Sequence, residues 1–101
     1  MMNDDFTDAV YSVIGAIPSG NVASYGYVAK LAGFSKHARA VGYLLKHLPK
    51  DSSLPWYRVV NSKRELSFEP GSTNYTRQKN RLMAEGVEFD GLKINKQNYL
   101  G

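Results

Sequence analysis

The stretch Val28-Ala29-Lys30-Leu31-Ala32-Gly33-Phe34-Ser35-Lys36-His37-Ala38-Arg39-Ala40-Val41-Gly42 decides the fold. Val28, Leu31 and Ala32 stand at helical spacing and predict the inner face of one short helix, with Ser24 as its N-cap. Gly33 follows where a helix needs a residue tolerant of positive φ, so the helix ends there. A second helix is expected to open at Ser35 or Lys36, with Ala38, Val41, Leu45 and Leu48 facing inward, and Pro49 stops it. Two short helices joined by Gly33-Phe34-Ser35 read as a helix-turn-helix, whose second member would be the recognition helix.

Working outward, Phe6, Val10, Val13, Ile14 and Ile17 recur at i, i+4, i+7, i+8 and i+11, the stripe of an amphipathic helix. Asn3, Asp4 or Asp5 is expected to cap it, and Pro18-Ser19-Gly20-Asn21 breaks it. Beyond Pro55 the period changes. Tyr57–Val60 is β-prone, Asn61–Arg64 is a turn, and Leu66–Phe68 is expected to return as a second strand, the wing of a winged helix. Glu69–Thr73 is a loop, and Asn74 is expected to cap a last helix over Tyr75–Glu85 with Gln78, Leu82 and Met83 inward. Gly86 then sits where a helix-ending glycine belongs, with Val87 as its apolar contact, and Leu92 and Ile94 mark a final short strand. The expected fold is mainly α with a small β wing, a winged helix-turn-helix forming one domain over residues 1–101.

Bulk properties narrow the function. The chain has 101 residues and no cysteine, which excludes disulfides, thiolate metal sites and cysteine nucleophiles. His37 and His47 are isolated and make a poor metal site, so no metal or cofactor is expected. No apolar run approaches the ~20 residues of a membrane span. The acidic start Met1-Met2-Asn3-Asp4-Asp5 is unlike a secretory signal, so a cytoplasmic location is expected; a monomer is expected as well. The net charge of +4 is unevenly spread: residues 1–29 carry three acids and no base, whereas residues 30–64 carry eight basic residues against Asp51 alone. A polyanion would meet the central third of the chain.

One further stretch carries chemistry: Pro55-Trp56-Tyr57-Arg58-Val59-Val60. With Ile17-Pro18, Gly20, Val22, Ser24-Tyr25-Gly26, Arg39-Ala40-Val41-Gly42, Leu82 and Glu85-Gly86-Val87, it resembles, in order and spacing, the DNA-binding domain of the O6-alkylguanine-DNA alkyltransferases. In that family the motif reads Pro-Cys-His-Arg-Val, and the cysteine accepts an alkyl group from damaged guanine. Here Trp56 stands at the cysteine position and Tyr57 at the histidine position. An indole cannot replace a thiolate nucleophile. The resemblance is therefore to the alkyltransferase-like members, which read lesions without repairing them.

This resemblance implies a partner, double-stranded DNA containing alkylated guanine, met in the minor groove with the damaged nucleotide turned out of the stack. It implies that Arg39 is the finger that fills the vacated space, that Ala40 and Gly42 let the helix press closely, and that Tyr25 crowds the neighbouring phosphate. Trp56 would floor the pocket with Val59 and Val60 against it, and Ser72 would reach a base edge. Tyr57, Arg58 and Glu85 are carried as supports of the pocket. A held lesion would be flagged to nucleotide excision repair proteins. The chain departs from the family at Tyr57, at Leu48-Pro49 where an asparagine usually precedes the proline, and at the acidic Glu69 beside the expected pocket. Two other readings compete: a winged-helix transcription regulator, and a residual alkyltransferase using Tyr57, whose phenol is a weak nucleophile.

Overall fold

A computed structural model describes residues 4–101. Four helices carry the chain: α1 (Asp4–Gly15), α2 (Tyr25–Leu31), α3 (Ala38–Lys46) and α4 (Thr73–Ala84). Four two-residue strands accompany them, β1 (Ala23–Ser24), β2 (Val59–Val60), β3 (Phe89–Asp90) and β4 (Lys93–Ile94), with 3-10 turns at Trp56–Arg58 and Lys96–Asn98. This is a mainly α fold with a small β component.

The apolar stripe of α1 forms as its spacing demands. Phe6, Val10, Ile14 and Ile17 are buried and Val13 is half-buried. The helix begins at Asp4, so its expected cap falls on Asn3, outside the described residues. Ser24 caps α2 by accepting a hydrogen bond from the Tyr27 N–H at 3.1 Å. Its inner face is Val28 and Ala29; Leu31, expected inward, is exposed because the helix ends there and turns it outward. Gly33 takes φ +91°. Its N–H and that of Phe34 donate to the carbonyls of Lys30 and Ala29, the pair of hydrogen bonds that closes a helix on a left-handed residue. Gly86 ends α4 identically, with φ +89° and bonds from Gly86 and Val87 to Met83 and Leu82.

α3 starts two residues later than expected, at Ala38 with His37 at the cap position. The His37 ring packs against Phe6 and Phe34, 5.9 Å from each centroid. Leu48 lies beyond the end of α3. At α4 the cap is Ser72, which accepts from the Tyr75 N–H at 3.2 Å; Asn74, the expected cap, lies inside the helix. Gln78 and Leu82 are buried and Met83 is exposed.

The β component differs most from expectation. Tyr57 belongs to a 3-10 turn, Leu66–Phe68 forms no strand, and no hairpin joins them. Instead β2 pairs in parallel with β1, in the register Ala23↔Val59 and Ser24↔Val60. The tail adds to the other side of β1, where Val22 bridges Tyr99 and the Leu100 N–H donates to the Val22 carbonyl at 2.8 Å. β3 and β4 form a separate antiparallel pair. Strand alternation splits Val59 and Val60 between two cores. Val59 joins the α1–α2–α3 cluster, whereas Val60 joins Val22, Leu66, Tyr75, Leu82, Val87 and Ile94. Val60 therefore supports the second core rather than Trp56.

Candidate nucleic-acid interface

The β1–β2 pairing draws the start of α2 beside the 3-10 turn that carries Trp56. Between them opens a cavity of about 600 Å³, within the ~300–1,000 Å³ of small-molecule sites. Tyr25 comes from α2, Gly42, Leu45 and Lys46 from α3, and Leu48, Pro49, Lys50 and Ser52 from the following loop. Trp56 and Val59 line it from the motif, Ser67 and Phe68 from the next loop, and Asn74, Arg77 and Gln78 from α4.

Local contacts fix these side chains. The Tyr25 ring lies along α3, 3.9 Å from where a Cβ on Gly42 would stand, an ordinary van der Waals distance. The Tyr25 hydroxyl donates to Ser67 Oγ at 3.0 Å. Trp56 meets Tyr57 edge-on at 5.7 Å between centroids, and the Arg77 guanidinium stands over the indole at 5.9 Å. Gln78 is buried, and its amide donates at 3.1 Å to both the Tyr57 and the Val59 carbonyl. One side chain on α4 thus pins the backbone on both sides of Arg58.

Behind the cavity lies a polar knot. Arg58 donates from Nη1 to the Ile17 carbonyl at 2.8 Å and pairs with Glu85 through Nε and Nη2. Glu85 also accepts from the Gly20 N–H and the Tyr57 hydroxyl, both at 3.1 Å. The Tyr57 ring sits between two cations, Arg81 at 5.3 Å and Arg58 at 5.5 Å. The hydrogen bond from Arg58 holds the Glu85 carboxyl below its ordinary value, and the carboxylate holds Arg58 above its own.

Of the residues named from sequence, Tyr25, Gly42, Trp56 and Val59 meet in the cavity lining, and Tyr57, Arg58 and Glu85 lie behind it. Arg39 is exposed on the first turn of α3, outside the lining, and Ala40 packs against the core. Ser72 is outside the lining and its hydroxyl oxygen is engaged as the α4 cap. Glu69 also lies outside it, on a shallower recess with Phe68 and Pro70. Sequence reasoning missed Lys46, Lys50, Asn74, Arg77 and the pinning role of Gln78. The readable signal was the i, i+3, i+4, i+7 spacing of residues 74, 77, 78 and 81, which puts them on one face of α4. No cluster able to hold a metal occurs among the described residues, and none of their helices is long and apolar enough to cross a membrane.

Helix-turn-helix, basic middle third and cavity together describe a nucleic-acid-binding domain. The family described as 6-O-methylguanine DNA methyltransferase, DNA binding domain, matches residues 5–87, and the chain belongs to it. Over 97 residues it is 45% identical to the DNA base-flipping protein of Vibrio parahaemolyticus, covering 95% of each chain. It is 42% identical over 89 residues to alkyltransferase-like protein 1 of Schizosaccharomyces pombe, covering 88% of this chain and 82% of that protein. The crystal structure of S. pombe Atl1 in complex with damaged DNA containing O6-carboxymethylguanine superposes with a TM-score of 0.80 at 40% identity, over 93% of this chain and 89% of that one.

Proposed function

We propose that this chain is a non-catalytic reader of O6-alkylguanine in duplex DNA. The observation that carries the reading is the indole of Trp56 lining a cavity of about 600 Å³, in a chain without a single cysteine. A base turned out of the duplex enters between Tyr25 and Trp56, and its alkyl group rests on the apolar indole, gaining roughly 25 cal/mol per Å² buried. Arg39, on the exposed first turn of α3, fills the gap left in the stack; its flat guanidinium suits both stacking and hydrogen bonding to the orphaned base. Gly42 and Ala40 keep α3 slim where it approaches the groove. Tyr57, Arg58, Glu85 and Gln78 hold the Trp56 segment rigid, as a binding site requires. The Tyr57 hydroxyl, next in sequence to Trp56, donates to Glu85 and is engaged away from the alkyl group. The lesion is held unchanged, and the persistent complex marks it for nucleotide excision repair in the cytoplasm of the cell. Relatives named as base-flipping and alkyltransferase-like proteins, and a solved relative bound to damaged DNA, support this reading.

The test is a titration of lesion-bearing against undamaged duplex at fixed salt, followed by intact-mass measurement of the protein. Tight lesion-selective binding with no added mass is expected. A gain of one methyl group would make the chain a transferase, and a preference for one undamaged sequence would make it a regulator.

A further inference from the structure

Charge around the cavity is one-sided. Lys46, Lys50 and Arg77 line it, and no carboxylate does. The two ion pairs among the described residues, Arg58–Glu85 and Lys93–Glu65, engage none of these three cations. Arg77 differs from the two lysines in being held over the indole at 5.9 Å. It stands over the indole on which an alkyl group would rest, and a guanidinium offers a planar fork of donors that fits a carboxylate. An anionic group laid on an aromatic face alone is repelled by the ring's negative quadrupole; with a guanidinium over that ring, the same group gains charge-assisted hydrogen bonds.

We infer that Arg77 makes the cavity select O6-alkyl groups that end in an anion, such as a carboxymethyl, over neutral groups of the same shape. The inference rests on the cavity being the seat of the turned-out base. Lys46 and Lys50 reinforce the local potential, but Arg77 is the discriminating contact because it alone is positioned on the indole. The α4 face that carries it is fixed by the buried neighbour Gln78, so the guanidinium is placed by the same element that pins the Trp56 segment.

The experiment compares duplexes carrying O6-carboxymethylguanine with duplexes carrying O6-carbamoylmethylguanine, its neutral isostere, and an undamaged control, in about 50 mM salt. For the native protein the carboxymethyl adduct is expected to bind more tightly. In Arg77→Gln the ratio of the two affinities should fall about tenfold, the scale of one charge-assisted hydrogen bond in a partly dried site. Arg77→Lys, which keeps the charge without the fork, should retain part of the ratio. Equal binding of the two adducts by the native protein, or a ratio unchanged in Arg77→Gln, overturns the inference while leaving the lesion reader intact. Failure of both adducts to bind better than undamaged duplex overturns the reader itself.

Discussion

Glu85 joins four parts of the molecule through one carboxylate: the loop at Gly20, the phenol of Tyr57, the guanidinium of Arg58 and, by its place at the end of α4, that helix. Both members of the Arg58 pair are largely withdrawn from solvent, at 15% and 13% side-chain exposure. The pair is worth more broken than made, because either partner left alone is an uncompensated charge. Glu85→Gln is expected to cost about 2–3 kcal/mol in urea unfolding. The pH dependence follows from the direction of the shift. The folded carboxyl titrates below its ordinary 4.5, so its contribution is complete above that value and fades as pH falls through the lower, folded one. Glu85→Gln should flatten the acid limb of stability against pH, and an acid limb as steep as the native one would contradict this. Arg39 stands at the same scale with a different task. It is exposed and lies at the start of the helix proposed to meet DNA, so Arg39→Ala should weaken lesion binding far more than Lys63→Ala; equal losses would reduce it to one phosphate contact among several.

Helix by helix, legibility tracks the range of the forces involved. α2 and its turn could be read because Ser24 and Gly33 act within four residues of themselves. The end of α4 could be read from Gly86 for the same reason. The wing could not: a two-residue strand has no measurable period, and β2 finds its partner on the far side of the helix-turn-helix. The cavity was half legible. Tyr25, Gly42, Trp56 and Val59 were named from motif resemblance and Gln78 was expected inward, whereas Arg77 and the bonds that Gln78 makes depend on how α4 packs against the Trp56 segment, a contact between parts distant in sequence. Gln78→Ala tests that contact. It would strip the carbonyls of Tyr57 and Val59 of a buried donor, costing about 1–3 kcal/mol by thermal or urea unfolding. α3 offers the opposite sign. Gly42 is helical, and an added Cβ would meet only the Tyr25 ring at an ordinary 3.9 Å. Gly42→Ala should therefore stabilise the fold by up to about 1 kcal/mol, yet lower lesion affinity, because the methyl group enters the cavity and thickens the helix. An unchanged affinity would show that α3 does not press closely on its ligand.

At the scale of the whole molecule, charge and chemistry are carried by different parts. The eight basic residues of 30–64 spread over the end of α2, the turn, α3 and the segments around Trp56, while the contact proposed to select the lesion is an apolar indole. Arg58 and Arg64 are occupied inside the protein, Arg58 by Glu85 and the Ile17 carbonyl, Arg64 by the Ile94 carbonyl, which leaves Lys30, Lys36, Arg39, Lys46, Lys50 and Lys63 exposed to a polyanion. If about five of these meet phosphates, log Kobs should fall with log salt at a slope of about −4.5. Those contacts are the same whether or not the guanine is alkylated, whereas burial of a methyl group on Trp56 releases no counterion. Plots for O6-methylguanine and undamaged duplex should therefore run parallel, offset by a preference that salt does not erode. A lesion preference that vanishes as salt rises would place recognition in the phosphate contacts and remove the indole from its proposed role.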